Sequence, residues 1–93
     1  MARYSINIAD NAKIELKKHH KSGDQASIKR IDKIFKKLAE HPYIGSGNPE
    51  PLKYQMSGYW SRMINKKDRL IYRVNDDSLT VYVFSAIGHY GDK

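Results

Sequence analysis

The chain has 93 residues and contains no cysteine. Disulfide bridges, thiolate metal sites and cysteine nucleophiles are therefore excluded, and a reducing compartment is compatible with the composition. No apolar run in the sequence approaches the roughly 20 residues that span a bilayer. The first residues lead into an alternating, strand-like segment and lack the pattern of a signal peptide. We therefore expect a cytoplasmic protein.

Acidic residues are also scarce, with 10 Asp and Glu against 17 Lys and Arg and a net charge of +7. A surface of this sign attracts polyanions such as RNA, DNA or anionic membrane, and charge alone does not choose among them. Hydrophobic residues make up 40% of the chain, which is typical of a folded protein. At this length we expect one domain that covers residues 1–93.

Periodicity predicts one strand and two helices in the first forty residues. Residues 4–8 alternate with a period of two, as in a half-buried strand. Asp10 or Asn11 can cap a first helix that ends at Gly23, and Asp24 can cap a second helix. The second helix has the clearer apolar stripe, at spacings of three and four residues, formed by Ile28, Ile31, Ile34, Phe35 and Leu38.

The first predicted helix ends in a basic run, Lys17-Lys18-His19-His20-Lys21. Adjacent helical positions do not share a face, so we expect both histidines to be solvated and not to form a metal site. The lysine-rich helices also lack the interfacial aromatics of a membrane-surface helix. We therefore predict no membrane partner.

The second half of the chain changes to a period of two. Residues 41–51 are predicted to form a loop because prolines and glycines concentrate there, and residues 53–54 a short strand. Three aromatic and β-branched segments, 59–64, 70–74 and 79–87, are separated by polar turns and predict antiparallel strands. The expected fold is α+β, with two N-terminal helices packed on one face of a small, mainly antiparallel sheet and the other face free for a ligand.

Strand alternation assigns side chains to the two faces of this sheet. In the first of the three strands one face carries Tyr59, Ser61 and Met63, and the other carries Trp60, Arg62 and Ile64. In the next strand Leu70, Tyr72 and Val74 resemble a core set, which places Arg69, Ile71 and Arg73 on the free face. A surface arginine paired with Asp68 or Asp76 is the alternative for Arg69.

Three residues could carry acid–base or electrostatic chemistry. Glu50 lies between two prolines that restrict its backbone, which would preorganise a carboxylate, although an exposed loop glutamate fits the pattern as well. His89 follows a glycine near the C-terminus and is either a tail residue or a general acid. A carboxylate, cations such as Arg69 and a histidine are what cleavage of an RNA phosphodiester needs.

Four ordered blocks together resemble the YoeB/Txe family of bacterial toxins, within the RelE superfamily. The blocks are Gly45-x-Gly47-x-Pro49-Glu50-Pro51-Leu52-Lys53, Ser57-Gly58-Tyr59-Trp60-Ser61-Arg62-x-Ile64, Asp68-Arg69-Leu70-Ile71-Tyr72-x-Val74 and Gly88-His89-Tyr90. The resemblance covers residues from about 31 to 90. It implies a RelE-like microbial RNase fold and a ribosome-dependent mRNA interferase that is neutralised by a cognate, YefM-like antitoxin. Some family members form a homodimer.

The resemblance also implies residue roles. Glu50 would be the general base that takes the 2′-hydroxyl proton, His89 the general acid at the 5′-oxygen, and Arg69 the group that stabilises the phosphorane. Lys53 would assist Arg69, and Tyr90 would orient the RNA. Together with Tyr59, an exposed ring suited to base stacking, Ser61 and Arg73, these two residues are predicted to bind RNA. No metal or other cofactor is implied, since the RNA 2′-hydroxyl is the nucleophile.

One residue departs from the family pattern. Family members often carry a second arginine after the Ser-Arg pair, and this chain has Met63 there. A neutral thioether cannot stabilise a phosphorane. A non-catalytic basic RNA- or ribosome-binding module that represses translation by occupancy is therefore the alternative to an enzyme.

Overall fold

A computed structural model describes residues 3–45, 47 and 49–88. Within these residues the chain forms two helices and five strands, with one 3₁₀ turn before the third strand. The elements in chain order are β1 (Ser5–Ile8), α1 (Asp10–Ser22), α2 (Gln25–Glu40), β2 (Glu50–Pro51), the 3₁₀ turn (Tyr54–Met56), β3 (Trp60–Met63), β4 (Arg69–Asn75) and β5 (Thr80–Ser85).

The five strands form one sheet in the order β1-β5-β4-β3-β2. β1 runs parallel to β5, and every other neighbouring pair is antiparallel. The two helices connect β1 to the rest of the sheet, a crossover that a parallel pair requires. The predicted α+β fold, with two helices on a mainly antiparallel sheet, is confirmed.

The core lies between the helices and one face of the sheet. α2 contributes Ile31, Ile34 and Leu38, as its spacing predicted. The strands contribute Leu70, Tyr72, Val81 and Val83, with Trp60 and Val74 packed against them. The predicted cap of α2 is also confirmed, since the Asp24 carboxylate accepts hydrogen bonds from the Ser27 amide at 3.2 Å and the Ser27 hydroxyl at 2.8 Å.

Two local predictions were wrong. Ala9 is the N-cap of α1 and makes no side-chain cap, while Asp10 lies in the first turn, where a carboxylate complements the helix dipole. The short strand before β3 is Glu50–Pro51 and not residues 53–54, because Glu50 pairs with Ser61 across the sheet. Tyr54 has a left-handed backbone, with φ of 60°, which ends the extended stretch.

Neither α1 nor α2, nor any other helix among the described residues, has the length and apolarity needed to cross a bilayer.

Candidate active site on the free face of the sheet

Cross-strand pairing brings the predicted carboxylate onto the free face, the sheet face opposite the helices. Glu50 on β2 lies opposite Ser61 on β3, Ser61 lies opposite Ile71 on β4, and Ile71 lies opposite Ser85 on β5. Directly opposed residues in an antiparallel pair project to the same face. Ser61, Ile71 and Ser85 are buried, whereas Glu50 at the end of the row is exposed. The carboxylate is thus accessible at the edge of the sheet.

Arg69 lies beside this row and reaches the carboxylate. Its Nη1 is 3.5 Å from Oε1 of Glu50, with the arginine side chain 18% exposed and the glutamate side chain 55% exposed. Asp68 and Asp76, the alternative partners, have other contacts: Asp68 accepts a hydrogen bond from the Gly88 amide, and Asp76 accepts hydrogen bonds from two tyrosines. Residues 19 positions apart in sequence therefore form one charged pair.

This pair combines two chemical capacities in one place. A carboxylate can accept a proton, and a guanidinium can bind a phosphate with two parallel hydrogen bonds. The pair is too exposed for a strong contribution to folding, since exposed ion pairs are worth about 1 kcal/mol or less. A bound anion could therefore take Arg69 and release Glu50 at little energetic cost.

A second group on the free face is aromatic. Tyr59 and Phe84 meet edge to face with ring centroids 5.6 Å apart, and the Arg73 guanidinium lies 4.9 Å from the centre of the Tyr82 ring. These side chains line a groove of about 220 Å³ that is completed by Asn7, Ile8, Ala9 and Val83. Tyr59 and Arg73, both predicted to bind RNA, therefore lie together. Phe84 was missed, although the alternation of β5 placed it opposite the core.

The other predicted site residues are placed unequally. Lys53 is exposed and immediately precedes the 3₁₀ turn. Ser61 is 1% exposed in the centre of the row, so direct contact with RNA would require the row to open. Met63 is half-buried and lies opposite Arg69, so the residue that departs from the family pattern adjoins the charged pair. His89 and Tyr90 lie outside the described residues.

The loop that leads to Glu50 is attached to the sheet by a buried arginine. Arg62 on β3 is fully buried, and its Nη2 donates to the carbonyl oxygens of His41, Pro42 and Ile44 at 3.2, 2.9 and 2.8 Å. Its Nε donates to the Tyr72 hydroxyl at 3.0 Å. That hydroxyl donates in turn to the Pro42 carbonyl at 2.7 Å. Alternation predicted that Arg62 shares a face with Trp60 and Ile64, but not that it is buried or that it binds loop carbonyls.

The same loop closes on β3 at a glycine. Gly47 has a φ of 88°, and its carbonyl accepts a hydrogen bond from the Met63 amide at 2.6 Å. A Cβ at this position would lie 3.1 Å from both the Arg62 Cβ and the Met63 carbonyl oxygen. Glycine is required here by the left-handed backbone and by the close approach of the loop to the strand.

The segment that precedes His89 is held by α1 and by the β3–β4 turn. The Glu15 carboxylate accepts a hydrogen bond from the Ala86 amide at 2.6 Å, and His19 Nε2 donates to the Ala86 carbonyl at 2.8 Å. The Asp68 carboxylate accepts from the Gly88 amide at 3.0 Å. His19 is 6% exposed, so the prediction that it is solvated was wrong. The i, i+4 spacing of Glu15 and His19 was the signal that they share a face.

An exposed cluster ties the loop to two other segments. The Asp76 carboxylate accepts hydrogen bonds from the hydroxyls of Tyr4 at 2.6 Å and Tyr43 at 2.7 Å. These bonds lower the pKa of Asp76. Partial burial, followed by the bond to Asp76, raises the pKa of Tyr43 to about 12. Tyr43 also contacts Trp60 edge to face, with ring centroids 5.2 Å apart.

Among the residues that the structure describes, no group of three or more His, Cys, Asp or Glu side chains could hold a metal ion.

Comparison with known proteins links these features to one family. Residues 10–90 match the model of the YoeB-like toxin of bacterial type II toxin-antitoxin systems. Toxin YoeB of Escherichia coli O6:H1 is 47% identical over 58 residues, which cover 62% of this chain and 69% of that protein.

Solved structures extend the similarity to nearly the whole chain. The YoeB dimer from Staphylococcus aureus is similar with a TM-score of 0.78 at 32% identity, covering 96% of this chain and 100% of that one. The heterotetrameric YoeB-YefM toxin-antitoxin complex from Staphylococcus aureus gives a TM-score of 0.75 at 32% identity, again covering 96% of this chain and 100% of that one.

Proposed function

The chain belongs to the YoeB-like toxins of bacterial type II toxin-antitoxin systems, and we propose that it is an endoribonuclease that cleaves mRNA in the ribosomal A site. The observation that carries this proposal is the Glu50–Arg69 pair on the free face, with 3.5 Å between Nη1 and Oε1. A proton acceptor and a phosphate-binding cation at one accessible place are the two groups that transesterification of RNA needs first. A positive net charge of +7 supports an RNA substrate.

The proposed reaction uses the RNA itself as the nucleophile. Glu50 takes the proton of the 2′-hydroxyl, and the 2′-oxygen forms a bond to phosphorus. The bond from phosphorus to the 5′-oxygen breaks, and His89 donates a proton to that oxygen as it leaves. The products are a 2′,3′-cyclic phosphate and a 5′-hydroxyl, and the reaction consumes no other reactant.

Arg69 is proposed to stabilise the charge that develops on the phosphorane. In the free protein its guanidinium faces the Glu50 carboxylate, and an arriving phosphate competes for it. The exchange leaves the carboxylate free to accept the 2′-hydroxyl proton. Electrostatic stabilisation by one preorganised group is worth roughly 10²- to 10³-fold in rate.

The remaining predicted residues are proposed to hold the RNA. Tyr59 and Arg73 line the aromatic groove, where a base can stack and a phosphate can be neutralised. Lys53 is exposed and follows Glu50 by three residues. Ser61 lies opposite Glu50 in the sheet and is buried, so it would contact the RNA only if the row opens, and Tyr90 would orient the RNA.

Partners are proposed from the same relationship. The solved Staphylococcus aureus proteins include a YoeB-YefM complex and a YoeB dimer. We therefore propose a YefM-like antitoxin as the neutralising partner and a homodimer as an accessible state. An antitoxin for this basic chain would be acidic or amphipathic and partly disordered before binding. A substrate on the ribosome puts the action of the toxin in the cytoplasm.

The proposal is tested by replacement of the two charged residues. Glu50→Gln keeps the size of the side chain and removes the proton acceptor, and Arg69→Gln removes the cation. We expect each to lower the rate of mRNA cleavage on programmed ribosomes roughly 10²- to 10⁴-fold. Glu40→Gln is the matched control, because Glu40 pairs with Lys37 at 3.6 Å on α2 and lies outside the site. Primer extension locates the new mRNA ends.

The non-catalytic alternative is favoured by one observation, the presence of Met63 opposite Arg69. It predicts that the wild-type protein arrests translation while mRNA ends stay unchanged, and that Glu50→Gln arrests translation equally well. New ends at A-site codons that disappear in Glu50→Gln support the enzyme. Arrest without new ends would replace it with the binding module.

A further inference from the structure

One aromatic side chain near the proposed site is exposed almost completely. Tyr54, the first residue of the 3₁₀ turn, is 91% exposed, whereas the other exposed large hydrophobic residues among those described range from 37% to 58%. Single exposed apolar side chains are ordinary on protein surfaces. Exposure alone therefore does not assign a role to Tyr54.

The backbone of Tyr54 sets it apart. Its φ is 60°, and among the described residues only Leu79 is another non-glycine residue with positive φ. Glycine or asparagine adopts this conformation at lower cost than a bulky residue. A tyrosine here therefore costs stability on its backbone and gains none from burial of its ring. Strain of this kind is informative where it coincides with a functional segment.

The turn around Tyr54 is well defined by backbone hydrogen bonds. The Met56 amide donates to the Lys53 carbonyl at 3.1 Å, and the Ser57 amide donates to the Tyr54 carbonyl at 3.0 Å. The Leu52 amide donates to the Tyr59 carbonyl at 2.8 Å, which joins the two ends of the turn. The ring is therefore presented from a closed turn and not from an open loop.

The surroundings of the ring favour RNA over an apolar protein surface. Both sequence neighbours, Lys53 and Gln55, are exposed and polar, so the ring lies between two polar side chains along the chain. An exposed ring beside a cation is the combination that binds single-stranded nucleic acid, by stacking on a base and by attraction of the backbone phosphate. Tyr54 also follows Glu50 by only four residues, which is at most roughly 14 Å of extended chain.

We propose that Tyr54 is an RNA-binding residue that stacks on an unpaired base next to the cleavage site. This inference rests on the proposed function for the identity of the RNA, which is either mRNA or an unpaired base of ribosomal RNA. Stacking on an aromatic side chain is sequence-tolerant, because every base has a π-face. Tyr54 would therefore contribute affinity and position without selecting a codon.

The test separates stability from binding. Tyr54→Asn removes the ring and suits the left-handed backbone, so we expect an unchanged or higher melting temperature together with RNA binding that is roughly tenfold weaker. Tyr54→Phe keeps the ring and should bind as the wild type does. Leu79→Asn is the matched control, because it relieves the same kind of backbone strain in the β4–β5 turn and should leave binding unchanged.

Binding is measured in the Glu50→Gln background with three RNAs: a single-stranded oligoribonucleotide, vacant ribosomes and ribosomes programmed with mRNA. Loss of affinity confined to RNAs that contain single-stranded message assigns the stacked base to mRNA, and loss on vacant ribosomes assigns it to ribosomal RNA. The proposal is overturned if the proteins with and without Tyr54→Asn bind all three RNAs with equal affinity. It is also overturned if the protein that keeps Tyr54 binds none of the three RNAs. A fall in melting temperature would also overturn it, because the ring would then serve folding.

The same design distinguishes this proposal from the proposed function. If the wild type binds RNA through Tyr54 but mRNA ends stay unchanged, the stacking role stands and the endoribonuclease does not. If cleavage occurs and Tyr54→Asn leaves binding unaffected on all three RNAs, the enzyme stands and the stacking role is wrong.

Discussion

Two irregular segments approach the proposed site, and they are held in opposite ways. The loop before Glu50 offers backbone carbonyls to a buried cation, Arg62 on β3. The segment before His89 offers two backbone amides to carboxylates, Glu15 on α1 and Asp68 beside β4, while its Ala86 carbonyl accepts from the His19 imidazole. A carbonyl needs a donor and an amide needs an acceptor, so a guanidinium suits the loop carbonyls and carboxylates suit these two amides.

Arg62 and Glu15 also differ in burial. Arg62 on β3 is fully buried, while Glu15 on α1 is half-buried; Asp68, the second carboxylate at the segment, is buried. Removal of a buried charged group is costly, because the polar partners that it leaves behind lose their hydrogen bonds and are not solvated. We therefore expect Arg62 to matter more for global stability and Glu15 to matter more locally.

The largest effect is expected at the loop anchor. Arg62→Met keeps the apolar stem but removes the donors to the three loop carbonyls and to Tyr72, and we expect a loss of about 3 kcal/mol or more in the free energy of unfolding. Denaturant unfolding measures this loss. Arg30→Met is the matched control, since Arg30 is exposed on α2 and the change should stay within about 0.5 kcal/mol. Equal effects of the two changes would mean that Arg62 does not hold the loop.

An intermediate effect is expected at the segment anchor. Glu15→Ala removes a charge-assisted hydrogen bond to the Ala86 amide, and we expect a loss of about 1.5 kcal/mol in the free energy of unfolding. In Glu15→Ala, hydrogen exchange of the Ala86 amide should be accelerated more than that of the amides in β4. Asp32→Ala serves as the control, because Asp32 is an exposed carboxylate that pairs with Lys36 on α2.

The proposed reaction sharpens this second prediction. His89 directly follows the anchored segment in sequence. Loss of the Glu15 bond should therefore lower kcat by a larger factor than it changes KM. Glu15→Gln keeps an oxygen acceptor and should recover part of that rate. A variant that loses stability but cleaves at the wild-type rate would limit Glu15 to a structural role.

Sequence periodicity predicted the elements and the faces well, because one face of this sheet is buried and a period of two is then strongly constrained. It placed Arg62 on one face with Trp60 and Ile64. It could not predict that the arginine is buried and binds loop carbonyls, since the loop before Glu50 has no periodic pattern.

Tertiary contacts also explain what the sequence did not predict. His19 was predicted to be solvated because α1 was considered as an isolated helix. In the folded protein the chain after β5 passes α1, and the Ala86 carbonyl reaches the imidazole. The contact between Glu50 and Arg69 also lay beyond spacing alone, because it depends on the register of three strands; the family resemblance assigned both residues to one site.

The smallest effect is expected at the exposed tie of the loop, where Tyr43 and Tyr4 donate to Asp76. The lowered pKa of Asp76 contributes stability above its ordinary value of 3.8, and this contribution is lost as the pH falls through the folded value. The raised pKa of Tyr43 contributes stability below its ordinary value of 10.0, and this contribution is lost as the pH rises through about 12. Between these limits the tie should be independent of pH.

Spectrophotometric titration of tyrosinate tests the tie directly, with Tyr43→Phe identifying the step that belongs to Tyr43. In Asp76→Asn the tyrosine loses its charged acceptor but stays partly buried, so its pKa should fall from about 12 without reaching the ordinary value of 10.0. An unchanged titration would mean that burial alone raises the pKa. The loop would then be held by the buried Arg62 without help from the surface, which would widen the difference between its anchor and that of the segment before His89.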